Sequence, residues 1–333
     1  MDSVTQVVLG ATVAAVCVPA EHRRRAAILG AVLGTLPDLD VLVDYGDAVA
    51  DFTYHRSFSH SLLVLLPLSV LIWAALRQWW QPVAQCPRQW LWAVALALVT
   101  HPLLDAHTSY GTQLLWPLAT PPVMWSTIFI IDPLYTLPLL VSCLWVLLAP
   151  QSPRVRVALM TGLGFSSAYL GWSWVAKSVV DHQAEVALQQ QGVDGIQGAR
   201  LYSSPAPFNT LVWRVVALSA DGQDYFEGYY SFLQPSVAVN LERFERNAPL
   251  LDASSHLWAT SRLRWFASDF VKATAIDDRL VIADLRMGFE PYYIFQHEVA
   301  KSEEQHWVAV ESRLLPSAFD LQKLKLVWEK LKH

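Results

Sequence analysis

The sequence is poor in charged residues, in cysteine and, over its first half, in lysine. Charged side chains make up 16% of the 333 residues, whereas an average soluble domain contains roughly 25%. Three cysteines are too few for a disulfide scaffold. The net charge of −5 without a basic stripe excludes a basic nucleic-acid binder, so no nucleic-acid partner is expected. The abundant aromatics (15 Trp, 11 Tyr and 13 Phe) exclude a disordered chain.

The charges that are present lie mostly in the second half. Residues 1–176 contain 8 Arg, no Lys and 9 Asp or Glu, and the rest of the chain contains the other 16 basic and 20 acidic residues. We therefore predict an α-helical multi-pass membrane domain over 1–176, a linker over 177–206 and a soluble α+β domain over 207–333. About six spans are expected, from the apolar runs 4–20, 26–43, 60–76, 90–104, 128–148 and 156–175.

Arginine residues alternate between the predicted loops. Arg23–Arg25 mark the first loop, and further arginines mark the third and fifth. The positive-inside rule then places the odd loops in the cytoplasm and the C-terminal domain on the periplasmic side of a bacterial inner membrane. A cleavable signal peptide is not expected, because Asp2 precedes the first apolar run and the arginines follow it. A soluble helical bundle is the alternative.

The second half contains strand-like segments. Turn signals separate them into three hairpins, which predicts an antiparallel sheet with helices on one face. The predicted strands are 213–219, 225–232, 269–275, 280–287, 292–299 and 306–312, and the predicted helices are 237–247, 253–265 and 318–331. No catalytic constellation is evident in this half, and its histidines, His256, His297 and His306, are predicted to be packed or surface residues.

The informative residues are ionisable groups in four patches of the first half, around residues 38–40, 55–60, 101–107 and 132. On the predicted topology all four patches lie near the outer membrane face. Carboxylates and histidines are costly near hydrocarbon unless they are paired or bind metal. His101 and Asp105 are four residues apart and share a helix face. Asp132 before Pro133 is favoured as a helix cap, and His107 is the weakest candidate.

Imidazole and carboxylate together are a typical ligand set for zinc, with manganese or iron as alternatives. Six candidates exceed the ligands of one catalytic zinc, so two or more divalent ions are expected. Paired metals suit phosphoester hydrolysis by metal-activated water. The predicted metal ligands are Asp38, Asp40, His55, His60, His101 and Asp105. A buried, hydrogen-bonded His101 and a simple helix-end Asp38 are the alternatives.

Several motifs together resemble a known family. The segments Met1–Gln6, Gly34–Asp40, His55–Ser61 and His101–Asp105 are similar to those of the YdjM-type bacterial inner-membrane proteins, for which metal-dependent hydrolase activity has been inferred. The resemblance covers residues 1–145 closely. That family is distantly similar to zinc-dependent phospholipases C and single-strand nucleases. The resemblance implies metal binding by Asp38, His60, His101 and Asp105, followed by Asp40 and His55. Many relatives carry His where this chain has Gln6.

These observations predict a membrane-bound hydrolase acting on a phosphoester in a lipid or envelope molecule. Asp38, Arg56 and Asp105 are the predicted catalytic residues. Arg56, the only basic residue predicted outside in the first half, is expected either to bind a phosphate oxygen or to form a structural pair with an aspartate. Two other functions stay open, a metal or proton transporter and a non-enzymatic scaffold with a structural metal. The lipid bilayer is an expected partner, and a protein partner stays open, since on the scaffold alternative the C-terminal domain binds one.

Overall fold

The computed structural model describes residues 1–191, 200–304 and 306–316. These divide into two compact units, which we call unit 1 and unit 2. Unit 1 comprises Met1–Val43, His55–Trp174 and Pro207–Asn209. Unit 2 comprises Asp44–Tyr54, Val175–Ala206 and the chain from Thr210 onward. A short segment of the N-terminal half, residues 44–54 with helix α3 (Ala48–Tyr54), therefore belongs to unit 2, which no sequence pattern indicated.

Unit 1 is helical. Its elements are α1 (Ser3–Cys17), α2 (Arg23–Thr35), α4 (Leu62–Trp79), α5 (Gln81–Gln85), α6 (Pro87–Asp105), α7 (Pro133–Leu148) and the first part of α8 (Val155–Gln190). Two short 3-10 helices, Pro37–Leu42 and Phe58–His60, connect them. Helix α1 packs against α2, α6 and α7, and α6 also packs against α4.

The prediction of about six membrane spans is wrong for this structure. Among the described residues, α4 is the one helix long and apolar enough to cross a membrane by length and composition, and only 11% of it is buried. Helices α1 and α7 are apolar but have 15 and 16 residues, below the roughly 17 that a span needs. The predicted periplasmic position of the C-terminal domain depended on six spans and loses its basis with them.

The apolar runs overestimated the spans because a run counts loop residues together with helix residues. Helix α1 stops before Pro19, and α2 stops before Pro37 after 13 residues, which is about 20 Å of helix against a hydrocarbon core of about 30 Å. The run 90–104 lies in α6, where one face is buried against its neighbours. The run 156–175 lies in α8, where Ser and Gly residues lower the hydropathy.

Helices α1 and α2 approach each other through glycine. A Cβ atom added to Gly30 would lie 2.2 Å from the carbonyl oxygen of Gly10 and 2.5 Å from the Cβ of Ala14. One turn further along α2, a Cβ on Gly34 would lie 2.6 Å from the carbonyl oxygen of Gln6. No larger residue fits at these positions without moving backbone, so this glycine contact sets the position of the C-terminal end of α2.

We expect Gly30→Val to push α1 and α2 apart and to destabilise unit 1 by about 1–3 kcal/mol or more, as overpacking does in well-packed interiors. Thermal unfolding of the purified protein measures the change. The matched control is Gly164→Val in α8, because a Cβ at Gly164 meets nothing within 4 Å. Equal losses of stability in both variants would show that helix propensity, and not the close approach, causes the effect.

Unit 2 contains antiparallel strands and short helices. The strands are β1 (Arg200–Pro205), β2 (Val212–Leu218), β3 (Asp224–Ser231), β4 (Glu242–Glu245), β5 (Val271–Ile276), β6 (Arg279–Asp284), β7 (Gly288–Phe289), β8 (Tyr292–Tyr293), β9 (Gln296–Glu303) and β10 (His306–Leu314). They form two four-stranded sheets, with the orders β1-β2-β3-β4 and β10-β9-β6-β5, and a separate pair β7-β8. Besides α3, its short helices are α9 (Ala248–Ala253) and α10 (Trp258–Phe266).

Strand β2 shows why the first sheet forms a core. All seven of its residues are buried between β1 and β3. Its one charged residue, Arg214, is neutralised by Glu227 of β3 at 2.7 Å, as a buried charge requires. The strands predicted in the second half thus correspond to antiparallel strands near the predicted positions, with ends shifted by a few residues.

Three other predictions from the sequence can be compared with the structure. The helix predicted over 237–247 is wrong, because β4 pairs there with β3. The stretch 177–206, predicted as a linker, contains the end of α8 and strand β1. The helix predicted over 318–331 lies outside the described residues. Of the histidines, His297 is buried against Phe52 at a ring distance of 5.0 Å, and His256 and His306 are exposed.

Candidate metal centre

Four of the six predicted ligands come together in unit 1. Asp38 lies in the 3-10 helix that follows α2, and His60 ends the 3-10 helix that precedes α4. His101 and Asp105 lie one turn apart at the C-terminal end of α6. One ligand atom from each residue lies within 4.8 Å of all the others. We call this set the four-residue centre.

Five of the six distances between the ligand atoms are close to those of a tetrahedral metal site, and the sixth, between the two carboxylate oxygens, is within 4.8 Å. The two histidine Nε2 atoms are 3.1 Å apart. Asp38 Oδ1 lies 3.5 Å from the Nε2 of His60 and 3.3 Å from that of His101. Asp105 Oδ2 lies 3.2 and 3.4 Å from the same two atoms. Ligand bonds of about 2.0–2.1 Å in tetrahedral geometry place neighbouring ligand atoms about 3.3–3.4 Å apart.

Hydrogen bonds outside the centre orient both imidazoles. His101 Nδ1 lies 2.6 Å from the carbonyl oxygen of Gly34. Because a carbonyl can only accept, Nδ1 carries the proton, and in the neutral ring Nε2 is left as a metal-binding lone pair. His60 Nδ1 lies 2.9 Å from Ser59 Oγ, and Ser59 Oγ donates to Asp40 Oδ2 at 2.6 Å. Both rings are thus held in the arrangement typical of metal-binding histidines.

Asp40 and His55, the other two predicted ligands, lie outside the four-residue centre. Asp40 Oδ1 is 2.8 Å from His55 Nδ1, so these two residues pair with each other. Asp40 Oδ2 accepts the backbone N–H of Arg56 at 2.9 Å as well as the hydroxyl of Ser59. Asp40 therefore fixes the 55–60 loop, and so the position of His60, from outside the centre.

Arg56 lies beside the centre with its side chain 5% exposed. Its Nε is 3.3 Å from Asp105 Oδ2, and its Nη1 donates to Thr108 Oγ1 at 3.2 Å. The guanidinium also lies over the ring of Tyr110 at 5.1 Å. Its backbone is left-handed, with φ +60°, a conformation that the contact with Asp40 helps to hold. Arg56 therefore brings positive charge directly to a candidate metal ligand.

The carboxylates of the centre are ionised, and their negative charge favours the binding of a cation. Burial raises the pKa of Asp105, but the charges of Arg56 and of the Met1 amine, with the imidazoles of His101 and His60, hold it well below its usual value. Burial also raises the pKa of Asp38, and the two imidazoles outweigh this effect, so the net shift is downward. Among the described residues, Asp105 Oδ2 accepts no well-formed hydrogen bond, although it is completely buried.

The pKa of His101 is shifted in the opposite direction. Burial lowers the pKa of His101, but the neighbouring carboxylates of Asp105 and Asp38 raise it by a larger amount, so the net shift is upward. A proton on this imidazole competes with a metal for the same Nε2 atom. Metal affinity should therefore fall as the pH is lowered.

One further residue beside the centre was not among the site residues predicted from the sequence. Gln6 of α1 is fully buried, and its Nε2 donates to Asp105 Oδ1 at 3.0 Å and to the carbonyl oxygen of His101 at 3.3 Å. The Met1 amine also donates to Asp105 Oδ1. The family resemblance drew attention to position 6, but no spacing in the sequence placed it beside Asp105, which lies about a hundred residues away.

Two residues of the four sequence patches have other roles. Asp132 caps α7 by accepting the backbone N–H groups of Leu134 and Tyr135 at 3.0 and 3.3 Å, in agreement with the favoured interpretation. His107 is bonded to Thr127 Oγ1 at 2.7 Å, and burial lowers its pKa to about 4. Neither residue belongs to the four-residue centre.

The fold and the centre define a class, a helical unit with a two-histidine, two-aspartate group that could hold a metal ion. The sequence profile of the YdjM inner membrane protein family matches residues 1–180. This is more than half of the chain, so the protein belongs to that family, and the resemblance noted in the sequence is confirmed. The family description also supports the predicted inner-membrane location, without fixing a number of spans or the side of the C-terminal unit.

Two curated proteins show the same relationship. The chain is 31% identical over 140 residues to the uncharacterized protein YfhP of Bacillus subtilis, covering 40% of this chain and 42% of YfhP. It is 35% identical over 96 residues to the inner membrane protein YbcI of Escherichia coli, covering 28% of this chain and 54% of YbcI. The alignments thus span about half of these relatives. No solved structure matches the chain.

Proposed function

We propose that this protein is a membrane-bound, metal-dependent hydrolase acting on a phosphoester of a lipid or another envelope molecule. The observation that carries the proposal is the spacing of the four-residue centre, in which each carboxylate oxygen lies 3.2–3.5 Å from both imidazole Nε2 atoms, the two Nε2 atoms lie 3.1 Å apart and all four atoms lie within 4.8 Å of one another. Ion pairs and hydrogen bonds alone do not need two imidazole Nε2 atoms and two ionised carboxylates facing a single point.

The exposure of the ligands suggests how their roles divide. The side chains of His60, His101 and Asp105 are 0% exposed, whereas Asp38 is 24% exposed. Three buried protein ligands with one open side are typical of catalytic zinc sites. We propose that these three residues hold one divalent ion, preferably zinc, and that Asp38 faces the incoming substrate. A divalent metal in this position acidifies water and withdraws charge from a phosphoryl oxygen.

The chain's own residues supply the remaining chemistry. Asp38 accepts a proton from the attacking water, as a carboxylate on the open side of the site is able to do. Arg56 compensates the negative charge of Asp105. Its Nε lies 3.3 Å from Asp105 Oδ2 without a well-formed hydrogen bond among the described residues, and we propose that this donor turns to a phosphoryl oxygen when substrate binds.

We expect Asp105→Asn to lose both the bound metal and turnover. The amide removes a negative charge from a fully buried candidate ligand, while the size of the side chain is kept. The measurement combines elemental analysis with phosphate release from phosphomonoester and phosphodiester lipids in detergent micelles. Asp132→Asn is the matched control, because it changes a buried aspartate of unit 1 that caps α7. If the Asp105→Asn variant kept metal and activity, the proposal would be abandoned.

A structural metal is the second candidate, and one observation favours it. All four ligand atoms come from the protein, and a closed four-ligand shell is typical of structural zinc. On this alternative Asp38 is a permanent ligand, the metal joins α2, α4 and α6, and no substrate is turned over.

A further inference from the structure

Exposed apolar side chains surround the four-residue centre. The 3-10 helix that carries Asp38 also carries Leu39, Val41 and Leu42, which are 54%, 72% and 79% exposed. Asp40, between them, is buried. The segment therefore combines one residue of the centre, Asp38, and the buried Asp40 with three large apolar side chains that are exposed.

A second apolar group lies at the start of α4. Phe58, Leu115 and Leu118 are 40%, 40% and 56% exposed. The loop containing the two leucines is fixed to this helix end, because Leu62 donates its backbone N–H to the carbonyl oxygen of Leu114 at 2.9 Å. Ser61 Oγ donates to the carbonyl oxygen of Trp116 at 2.6 Å.

The two groups form one surface, because the segments that carry them are bonded to each other. Asp40 Oδ2 accepts both the backbone N–H of Arg56 and the hydroxyl of Ser59, and Phe58 packs edge-to-face against Trp116 at 6.3 Å. We call this surface the apolar rim, and it consists of Leu39, Val41, Leu42, Phe58, Leu115 and Leu118.

The position of α4 indicates what covers the apolar rim. Helix α4 begins at Leu62, two residues after the ligand His60, and it is the described helix that is long and apolar enough to cross a membrane. A spanning helix leaves the hydrocarbon at its ends. The rim lies at the N-terminal end of α4, with a tryptophan beside it, as is typical of the level where membrane and water meet.

We propose that the apolar rim inserts into the bilayer interface, so that the metal centre opens at the level of the lipid headgroups. Clustered apolar side chains of this size are unfavourable in water, and burial in the outer part of the acyl region removes that cost. The occupant is the lipid bilayer itself. Family membership among inner membrane proteins is consistent with that choice.

The proposal also narrows the class of substrates that the centre would meet. A centre at headgroup level meets phosphate groups that are attached to acyl chains, and the rim would contact those chains while the phosphate reaches Asp38. This second step rests on the proposed function, whereas the insertion of the rim does not.

The depth of the rim in the membrane can be measured directly. Cys17, Cys86 and Cys143 are first replaced, because they are the chain's three cysteines. Leu42→Cys and Leu118→Cys are then labelled singly with a fluorophore. The full chain is reconstituted into vesicles of phosphatidylethanolamine and phosphatidylglycerol. Quenching by nitroxide-bearing lipids is compared with quenching by aqueous iodide.

Two further labelled positions calibrate the scale. Leu71→Cys lies in the middle of α4 and is 66% exposed, and Asp278→Cys lies in the charged, exposed turn between β5 and β6. We expect the rim labels to be quenched by headgroup-proximal nitroxides severalfold more strongly than the label at 278, and to be protected from iodide. Iodide quenching equal to that at position 278 would overturn the proposal. Protection from both quenchers would also overturn it, since protein would then cover the rim.

The same measurement on the Asp105→Asn variant separates this inference from the proposed function. Insertion of the rim is expected to be unchanged in that variant, since Asp105 is not part of the rim. If the rim is inserted but the wild-type protein turns over no substrate, the proposed hydrolase activity is contradicted. The proposal that the centre opens at the membrane interface is then retained.

Discussion

The double variant His60→Ala/His101→Ala is expected to lose its bound metal almost completely while its helices stay folded. It removes the two nitrogen ligands and leaves two carboxylates, whose Nε2 neighbours at 3.2–3.5 Å are gone. Structural zinc binding is worth on the order of 10–16 kcal/mol in small domains, so loss of half the ligands should reduce occupancy below roughly a tenth of the wild-type value. Elemental mass spectrometry on detergent-purified protein measures this.

The control for that variant is His107→Ala. His107 is also a buried histidine of unit 1, but it is bonded to Thr127 and lies outside the four-residue centre. We expect it to keep the wild-type metal content. Wild-type metal content in the double variant, with normal circular dichroism, would reduce His60 and His101 to packing residues.

The same experiment gives the number of ions per chain. The sequence predicted two or more ions from six ligands, and the structure brings four of these ligands together at one point. Asp40 and His55 form their own pair at 2.8 Å. One ion per chain would agree with the geometry of the centre. Two ions per chain would mean that Asp40 and His55 exchange their mutual contact for a second metal.

The sequence predicted part of the site well because some spacings determine geometry. His101 and Asp105 lie four residues apart on α6, and any helix places such residues on one face. Asp38 and His60 were correctly associated with them by residue type and by position at helix ends. Asp40 and His55 are of the same residue types, and their spacing of fifteen residues does not distinguish a shared metal from a direct ion pair. That choice depends on the turn at Arg56, which only the structure shows.

The fold could be predicted less well in the first half than in the second. The segments 213–219 and 225–232 were predicted as strands from their residue types and from the Asp221-Gly222 turn signal between them, and they correspond to β2 and β3, whose residues are mostly buried. Apolar runs in a helical half arise both in membrane spans and in core helices, and hydropathy alone does not separate the two. Six spans are contradicted because α1 and α2 end early, before prolines, and because the polar C-terminal end of α6 is buried. The close approach of α1 and α2 through Gly10 and Gly30 left no signal that could be interpreted from one sequence.

Asp38→Asn is expected to separate metal binding from turnover. Asp38 is the one partly exposed member of the centre, and we assign it the proton of the attacking water. Its amide cannot accept that proton, so turnover of a phosphoester lipid should fall by about 10²–10⁴-fold, the usual contribution of general acid–base catalysis. Metal content should stay close to one ion per chain, since His60, His101 and Asp105 are unchanged. Asp44→Asn, which removes an exposed charge six residues along the chain, is the control and should keep both properties.

This variant also decides between the two candidate roles of the metal. If Asp38 is a permanent fourth ligand, Asp38→Asn should lose metal and should lower the unfolding temperature as much as the double histidine variant does. If Asp38 instead serves the open side of a three-ligand site, the unfolding temperature should stay near that of the wild type while turnover falls. The contrast is informative because Asp38 lies 3.3–3.5 Å from both histidines, close enough to be a ligand and exposed enough to meet a substrate.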